Sequence, residues 1–201
     1  MNKKILVIAV LGLFIMGSFG MLFFGNENNG NNSMDNMHSI SNNDQENKIS
    51  FSNAIGKTAP DFTLTRQDGS KFTLGNYKDK TIVLFFNEGS MCYPACWNQM
   101  ASFGSDERFN NENVITVSIV IDEKNKWDQI ISSKPEYGKG VILFDTTKEV
   151  SKAYDVLNLP SSMHRGSYPG HTYVIIKNDI ITYTLDDPNM ALNNDKLASQ
   201  I

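Results

Sequence analysis

Cys92 and Cys96 are the only cysteines in a chain of 201 residues, and they lie close together in Met91-Cys92-Tyr93-Pro94-Ala95-Cys96-Trp97. Two thiols at this spacing can close one disulfide or share one soft metal ion. The apolar run Ile82-Val83-Leu84-Phe85-Phe86 precedes them and reads as a buried strand, and a helix reads from Pro94 onward. A strand that delivers a thiol to the start of a helix places it near unpaired N–H groups and the positive dipole end, which favour thiolate over thiol. Pro94 suits the first helical turn, where its missing N–H would be unpaired anyway. A purely structural disulfide is the competing reading. So short a loop removes little chain entropy, so it would be a weak staple. Thiol redox chemistry or soft-metal capture is therefore the expected work.

The elements that position this motif follow from patterning. Phe62–Thr65 and Lys71–Leu74 flank Gln67-Asp68-Gly69-Ser70 and predict a hairpin with a glycine turn. Thr81–Phe86 and the β-branched Val114–Ile121 read as buried strands, and Val141–Phe144 as a short one. Helices are expected over Pro94–Phe103 with Gly104 near the end, Lys124–Ser133, Thr146–Val156 and Asn189–Gln200. Thr172–Lys177 and Ile180–Leu185 predict a second hairpin across Asn178-Asp179. Strand–helix alternation closing on a hairpin implies an α/β domain, a central mixed sheet flanked by helices.

That domain is expected over residues 53–201, a length suited to a single core. Residues 26–52 are rich in Asn with Ser, Asp, Glu and Gly, and read as a disordered tether that cannot bury enough apolar surface to offset its ordering entropy. Met34, Met37 and His38 within it are soft copper-type donors, but scattered linker residues are the simpler reading. Residues 1–25 carry Lys3 and Lys4 before an apolar run from Ile5 to Phe24. At roughly 20 residues the run is long enough to span a bilayer as a helix. It lacks the short core and small-residue cleavage site of a removable signal. An uncleaved single-pass transmembrane helix is expected, with the basic residues inside and the domain outside the cytoplasmic membrane, where disulfides persist. The net charge of −4 without a basic cluster gives no footing for nucleic acid.

With these elements placed, the chain resembles a family over about residues 55–188. The opening Gly56-Lys57-Thr58-Ala59-Pro60-Asp61-Phe62-Thr63-Leu64, the Asp68-Gly69 turn and the strand leading to cysteine are similar to the start of the redoxin and peroxiredoxin (AhpC/TSA) branch of the thioredoxin-fold superfamily. The stretches VITVSIVIDEKNKW, SKAYDVLNLP and PGHTYVIIKNDIITYTLDDP resemble later parts of that family, in order. The resemblance implies a thioredoxin-like fold and thiol-dependent reduction of a peroxide or a protein disulfide, renewed by a thiol reductant protein. It also implies a Pro and a Thr before the reactive cysteine, in P-x-x-x-T-x-x-C. This chain has neither before Cys92, and counting from Cys96 meets Gly89 and Tyr93, so Ser90 is the nearest substitute hydroxyl. The C-x-x-x-C spacing resembles instead the copper-handling Sco proteins, whose third ligand is a His at the start of a late strand. His171 stands at such a start here.

Cys92, Cys96 and His171 are thus the expected catalytic residues. Cys92, taken as nearer the exposed strand end, attacks, Cys96 resolves, and His171 favours the Cys92 thiolate. No cofactor is needed in this reading. The alternative is a Sco-like copper chaperone using the same three residues as ligands. His164 and Arg165 read as solvated loop residues, with thiolate stabilisation the functional option for Arg165. Glu88 reads as a solvated loop end or a proton relay, Trp97 as packing and Met163 as loop filler.

Overall fold

The computed structural model describes residues 48–201. The expected transmembrane helix over residues 1–25, and most of the tether with Met34, Met37 and His38, lie outside them. Among the described residues no helix is long and apolar enough to cross a membrane. The folded unit begins earlier than residue 53: the Ile49 N–H donates to the Ala153 carbonyl at 2.9 Å, and Phe51 is buried in the core.

Seven strands form one mixed sheet: β1 (Thr63–Arg66), β2 (Lys71–Thr73), β3 (Thr81–Phe86), β4 (Val114–Val120), β5 (Val141–Phe144), β6 (Thr172–Lys177) and β7 (Ile180–Asp186), in the order β2-β1-β5-β4-β3-β6-β7. β3 lies in the middle, parallel to β4 and antiparallel to β6, with Leu84 opposite both Val117 and Val174. β4 and β5 are parallel, whereas the β1–β2 and β6–β7 hairpins are antiparallel. Asn178 and Asp179 both take positive φ, 51° and 63°, as a two-residue turn of this hand requires.

Both faces of the sheet are covered, which is why its central strands are apolar throughout. On one face Ile82, Leu84, Phe86, Val117, Ile119, Val174 and Ile176 pack with Phe51, Val150 and Tyr154. On the other, Val83, Phe85, Tyr173 and Ile175 pack with Trp97, Met100 and Phe103 of α1 (Ala95–Ser105), Trp127 of α2 (Lys124–Ser133) and Leu197 of α4 (Asn194–Ala198). Alternate residues of β3 and β6 therefore serve alternate cores. The cysteine motif lies over the second face.

Two expected helices are much shorter than their patterning. In place of Thr146–Val156, only α3 (Glu149–Ala153) forms. The buried Asp145 carboxyl accepts the N–H groups of Val150 and Ser151 at 3.2 and 2.8 Å, and Lys148 takes φ 63°, so the helix starts late. Asp155 at φ 56° ends it. In place of Asn189–Gln200, only Asn194–Ala198 is helical. Asp187 draws in the N–H groups of Asn189 and Ala191, both at 3.0 Å, and Met190 takes φ 51°. Residues 187–193 thereby become a loop folded against His171.

Candidate active site

The chain leaves β3 through Asn87 and Glu88 and makes a short 3-10 turn, Gly89–Met91, before Cys92. Asp122, just past β4, fastens this turn by accepting the Ser90 N–H at 2.7 Å, the Ser90 hydroxyl at 2.6 Å and the Trp127 indole N–H at 2.9 Å. The Trp97 indole donates to the Gly89 carbonyl at 3.1 Å. Gly89 has φ +62°, and a Cβ there would run into the Asp122 carboxylate, so the turn needs glycine on both counts. The Ser90 hydroxyl is committed to Asp122.

Cys92 and Cys96 are joined in a disulfide with Cα atoms 5.3 Å apart. Cys96 lies in the first turn of α1 and donates its N–H to the Cys92 carbonyl at 3.0 Å. Pro94 immediately precedes the helix and follows a cis peptide bond, the one such bond among the described residues. Cys92 does not stand open to solvent as expected. It is 3% exposed and Cys96 is fully buried, both within the core cluster that holds Phe85, Trp97 and Tyr173. The residues flanking Cys92 do reach the surface, Met91 at 42% and Tyr93 at 59% exposure. Trp97 is packing, against the rings of Tyr93, Trp127 and Tyr137.

His171 comes from the opposite direction, one residue before β6. Its Nδ1 lies 3.6 Å from the Cys96 sulfur, and its Nε2 lies 3.1 Å from the Ala191 carbonyl and 2.6 Å from the Tyr173 hydroxyl. The ring is fully buried, edge-on to Phe85 at 4.8 Å. Burial pushes its pKa down to about 4, against the opposing pull of the Ala191 carbonyl and of Asp187 and Asp186, so the imidazole is neutral near pH 7. The backbone is drawn in as well: the His171 N–H donates to the Ser161 hydroxyl at 2.7 Å, and a side chain on Gly170 would collide with Ser161 and the backbone of Ser162.

The structure thus brings Cys92, Cys96 and His171 together, their donor atoms all within 4.8 Å of one another. The sulfur that the imidazole faces is that of Cys96, at 3.6 Å from Nδ1, and not that of Cys92 as expected. Cys96 points down from the first turn of α1 onto the sheet, where His171 lies, whereas Cys92 sits on the turn above. In this oxidised state both sulfurs are bonded to each other and neither is a thiolate, the form that binds a soft metal.

Glu88 is not a solvated loop end. It is 1% exposed, and its Oε1 accepts the N–H groups of Met163 and His164 at 2.7 and 3.2 Å and the Ser162 hydroxyl at 3.3 Å. Its Oε2 lies 3.2 Å from His164 Nδ1. Glu88 therefore ties the loop before Cys92 to the loop before His171. The His164 side chain is half exposed, Met163 is exposed, and Arg165 is exposed with its guanidinium on the Pro160 carbonyl at 3.2 Å.

Tyr173, Gln99, Ala191 and Asn193 complete the surroundings of the imidazole and are not among the residues expected from the sequence. Two of them carried a signal. Tyr173 is two residues after His171 on a strand, and Gln99 is three after Cys96 on a helix, so each shares a face with a motif residue. Nothing local marks Ala191 or Asn193.

The family model described as AhpC/TSA family matches residues 55–184. Peroxiredoxin Q, chloroplastic, of Oryza sativa subsp. japonica is 30% identical over 135 residues, 64% of this chain and 57% of the relative. The Sedum lineare peroxiredoxin Q is 30% identical over 128 residues, 63% of this chain and 65% of the relative. The chain thus spans less than two thirds of the length of these relatives. Among solved structures, the reduced 2-Cys peroxiredoxin of Plasmodium vivax superposes with a TM-score of 0.60 at 22% identity, covering 72% of this chain and 78% of that one. Peroxidoxin BcpB of Mycobacterium tuberculosis gives 0.60 at 21% identity, covering 73% of this chain and 95% of that one. At these identities the likeness establishes the thioredoxin-like fold, with its mixed central sheet, and the matched family model covers most of the domain that carries Cys92, Cys96 and the strand after His171: the chain belongs to the AhpC/TSA family.

Proposed function

We propose that the chain is a membrane-anchored thiol peroxidase that cycles Cys92 and Cys96 between dithiol and disulfide. The observation that carries this reading is the Cys92–Cys96 disulfide lying against a buried imidazole on an AhpC/TSA scaffold. The Cys92 thiolate attacks one oxygen of a peroxide. The O–O bond breaks, water or an alcohol leaves after taking a proton, and Cys92 becomes a sulfenic acid. The Cys96 sulfur then attacks the Cys92 sulfur, the S–O bond breaks, water leaves and the disulfide forms. A dithiol reductant protein returns both thiols through a mixed disulfide and is itself oxidised. Cys92 takes the first role because its neighbours Met91 and Tyr93 reach solvent while Cys96 is sealed beneath it. No metal enters the cycle.

The apolar run from Ile5 to Phe24, with Lys3 and Lys4 before it, supports a single-pass anchor that holds the domain outside the cytoplasmic membrane. There the disulfide persists between turnovers.

The test is peroxide consumption by the reduced full-length chain in detergent, with an excess of small dithiol. Turnover should exceed that of free cysteine by orders of magnitude and be lost in Cys92→Ser. A reduced chain that reacts no faster than free cysteine, yet binds copper(I) tightly through Cys92, Cys96 and His171, overturns the peroxidase in favour of a copper carrier. Rapid oxidation by a protein disulfide without peroxide turnover overturns it in favour of disulfide exchange.

A further inference from the structure

We propose that His171 is the base for Cys96, the resolving thiol, and that Tyr173 is the residue that positions it by holding the ring in its Nε2–H form. The proposal rests on the dithiol cycle above and deepens it.

The tautomer follows from counting protons through buried groups, starting at one whose role is fixed. The Asn193 backbone N–H is a donor and nothing else, and it points at Gln99 Oε1 at 2.8 Å. That amide oxygen is an acceptor, so the Tyr173 hydroxyl, 3.1 Å away, spends its single proton on it. Towards every other neighbour the Tyr173 oxygen accepts. It takes the Asn193 side-chain amide at 3.4 Å, and it must take a proton from His171 Nε2 at 2.6 Å. The Ala191 carbonyl, also facing Nε2 at 3.1 Å, accepts only. Two independent acceptors thus place the ring proton on Nε2. A neutral imidazole has one such proton, so Nδ1 carries a bare lone pair. The group that lone pair meets is the Cys96 sulfur, at 3.6 Å. Burial keeps the ring neutral in the oxidised state and raises the Tyr173 pKa, so the phenol keeps the proton on which this chain of bonds depends.

In the resolving step the Cys96 S–H proton passes to Nδ1 as the Cys96 sulfur bonds to the Cys92 sulfur. Hydroxide departs from Cys92 and takes the proton back from the imidazolium, leaving as water. The sum is sulfenic acid plus thiol to disulfide plus water, with the imidazole neutral before and after. The base serves the thiol that cannot reach solvent, where water cannot remove its proton.

The test separates the two cysteines with an aromatic disulfide, dithionitrobenzoate, on the reduced full-length chain. Cys92 attack releases one coloured thiolate, and Cys96 attack on the resulting mixed disulfide releases a second. His171→Gln should leave the first release within about twofold and slow the second by about tenfold or more, at the low end of general-base effects. Tyr173→Phe should slow the second release severalfold, again sparing the first. In oxidised wild type with 15N-labelled histidine, NMR should show His171 protonated on Nε2 alone, and in Tyr173→Phe a mixture of tautomers. Equal slowing of both releases, an unaltered second release, or a proton on Nδ1 in wild type overturns the proposal. Because the probe is not a peroxide, normal two-phase release without peroxide turnover would count against the peroxidase reading alone.

Discussion

Glu88 and His171 are buried polar side chains that two loops close over, and each bears a consequence that can be measured. Glu88 receives two backbone N–H groups and a hydroxyl on one oxygen and faces His164 with the other. Glu88→Gln replaces one of these acceptors with an NH2 donor and removes the charge that the N–H groups and the hydroxyl bind, which costs about 1–3 kcal/mol. Urea unfolding should show that loss, and hydrogen exchange should accelerate first at the Met163 and His164 amides. His171 has a folded pKa of about 4 against an ordinary value of 6.5. Between those values the unfolded chain binds more protons than the folded one, so stability rises with pH. The contribution is complete above about pH 6.5 and is lost as pH falls towards 4, a span on the order of 3 kcal/mol. Urea midpoints of the oxidised chain across pH 4–7 should show that slope, and His171→Gln should flatten it. A slope unchanged by the substitution would mean that other groups carry it. Cys96→Ser should leave a sulfenic acid on Cys92 after peroxide, detectable by trapping and mass spectrometry. In wild type, a Cys92-linked dimer in place of the internal disulfide would contradict resolution within the chain.

At the level of elements, the β3–α1 connection matters most. Its geometry depends on Gly89 because Asp122, held by α2 and the end of β4, occupies the space a side chain would need. Gly89→Ala imposes both a left-handed backbone and a collision, at about 1–3 kcal/mol. For a domain of this size that corresponds to roughly 2–4 °C of Tm per kcal/mol. Thermal unfolding should show it, and disulfide closure should slow as well, because Cys92 is carried on the same turn. Ser90→Ala, which removes one of the Asp122 bonds without backbone strain, should cost less. The shortened α3 and α4 make the same point about side chains and backbone. Asp145 caps the free first-turn N–H groups of Val150 and Ser151 and so sets where α3 starts, while Asp187 holds the Asn189 and Ala191 N–H groups in a loop ahead of α4. In the second case the resulting loop supplies the Ala191 carbonyl that faces His171.

For the molecule as a whole, the expected anchor makes a prediction of its own. Full-length chain should stay with membranes after a high-salt wash, and external protease should digest the domain in intact cells. A salt-extractable chain, or a domain sheltered from protease, would overturn the proposed topology. The long elements were legible from residue types alone. The β3 run from Thr81 to Phe86 and α2 from Lys124 to Ser133 lie where patterning put them, because their apolar periods match buried faces over several turns or pleats. The cysteine pair, and His171 at the head of β6, were legible too, since a two-cysteine chain leaves few other candidates for thiol chemistry. The short helices were not, because their limits depend on buried carboxyls that intercept backbone N–H groups. The burial of Glu88 by a loop some seventy residues away was equally invisible. So was the choice of which thiol the imidazole meets. Spacing along the chain places Cys92 and Cys96 alike at a helix start. Only packing decides that the first turn of α1 presses Cys96 onto the sheet against His171, and that Tyr173, Gln99 and the Ala191 carbonyl close around the other side of the ring.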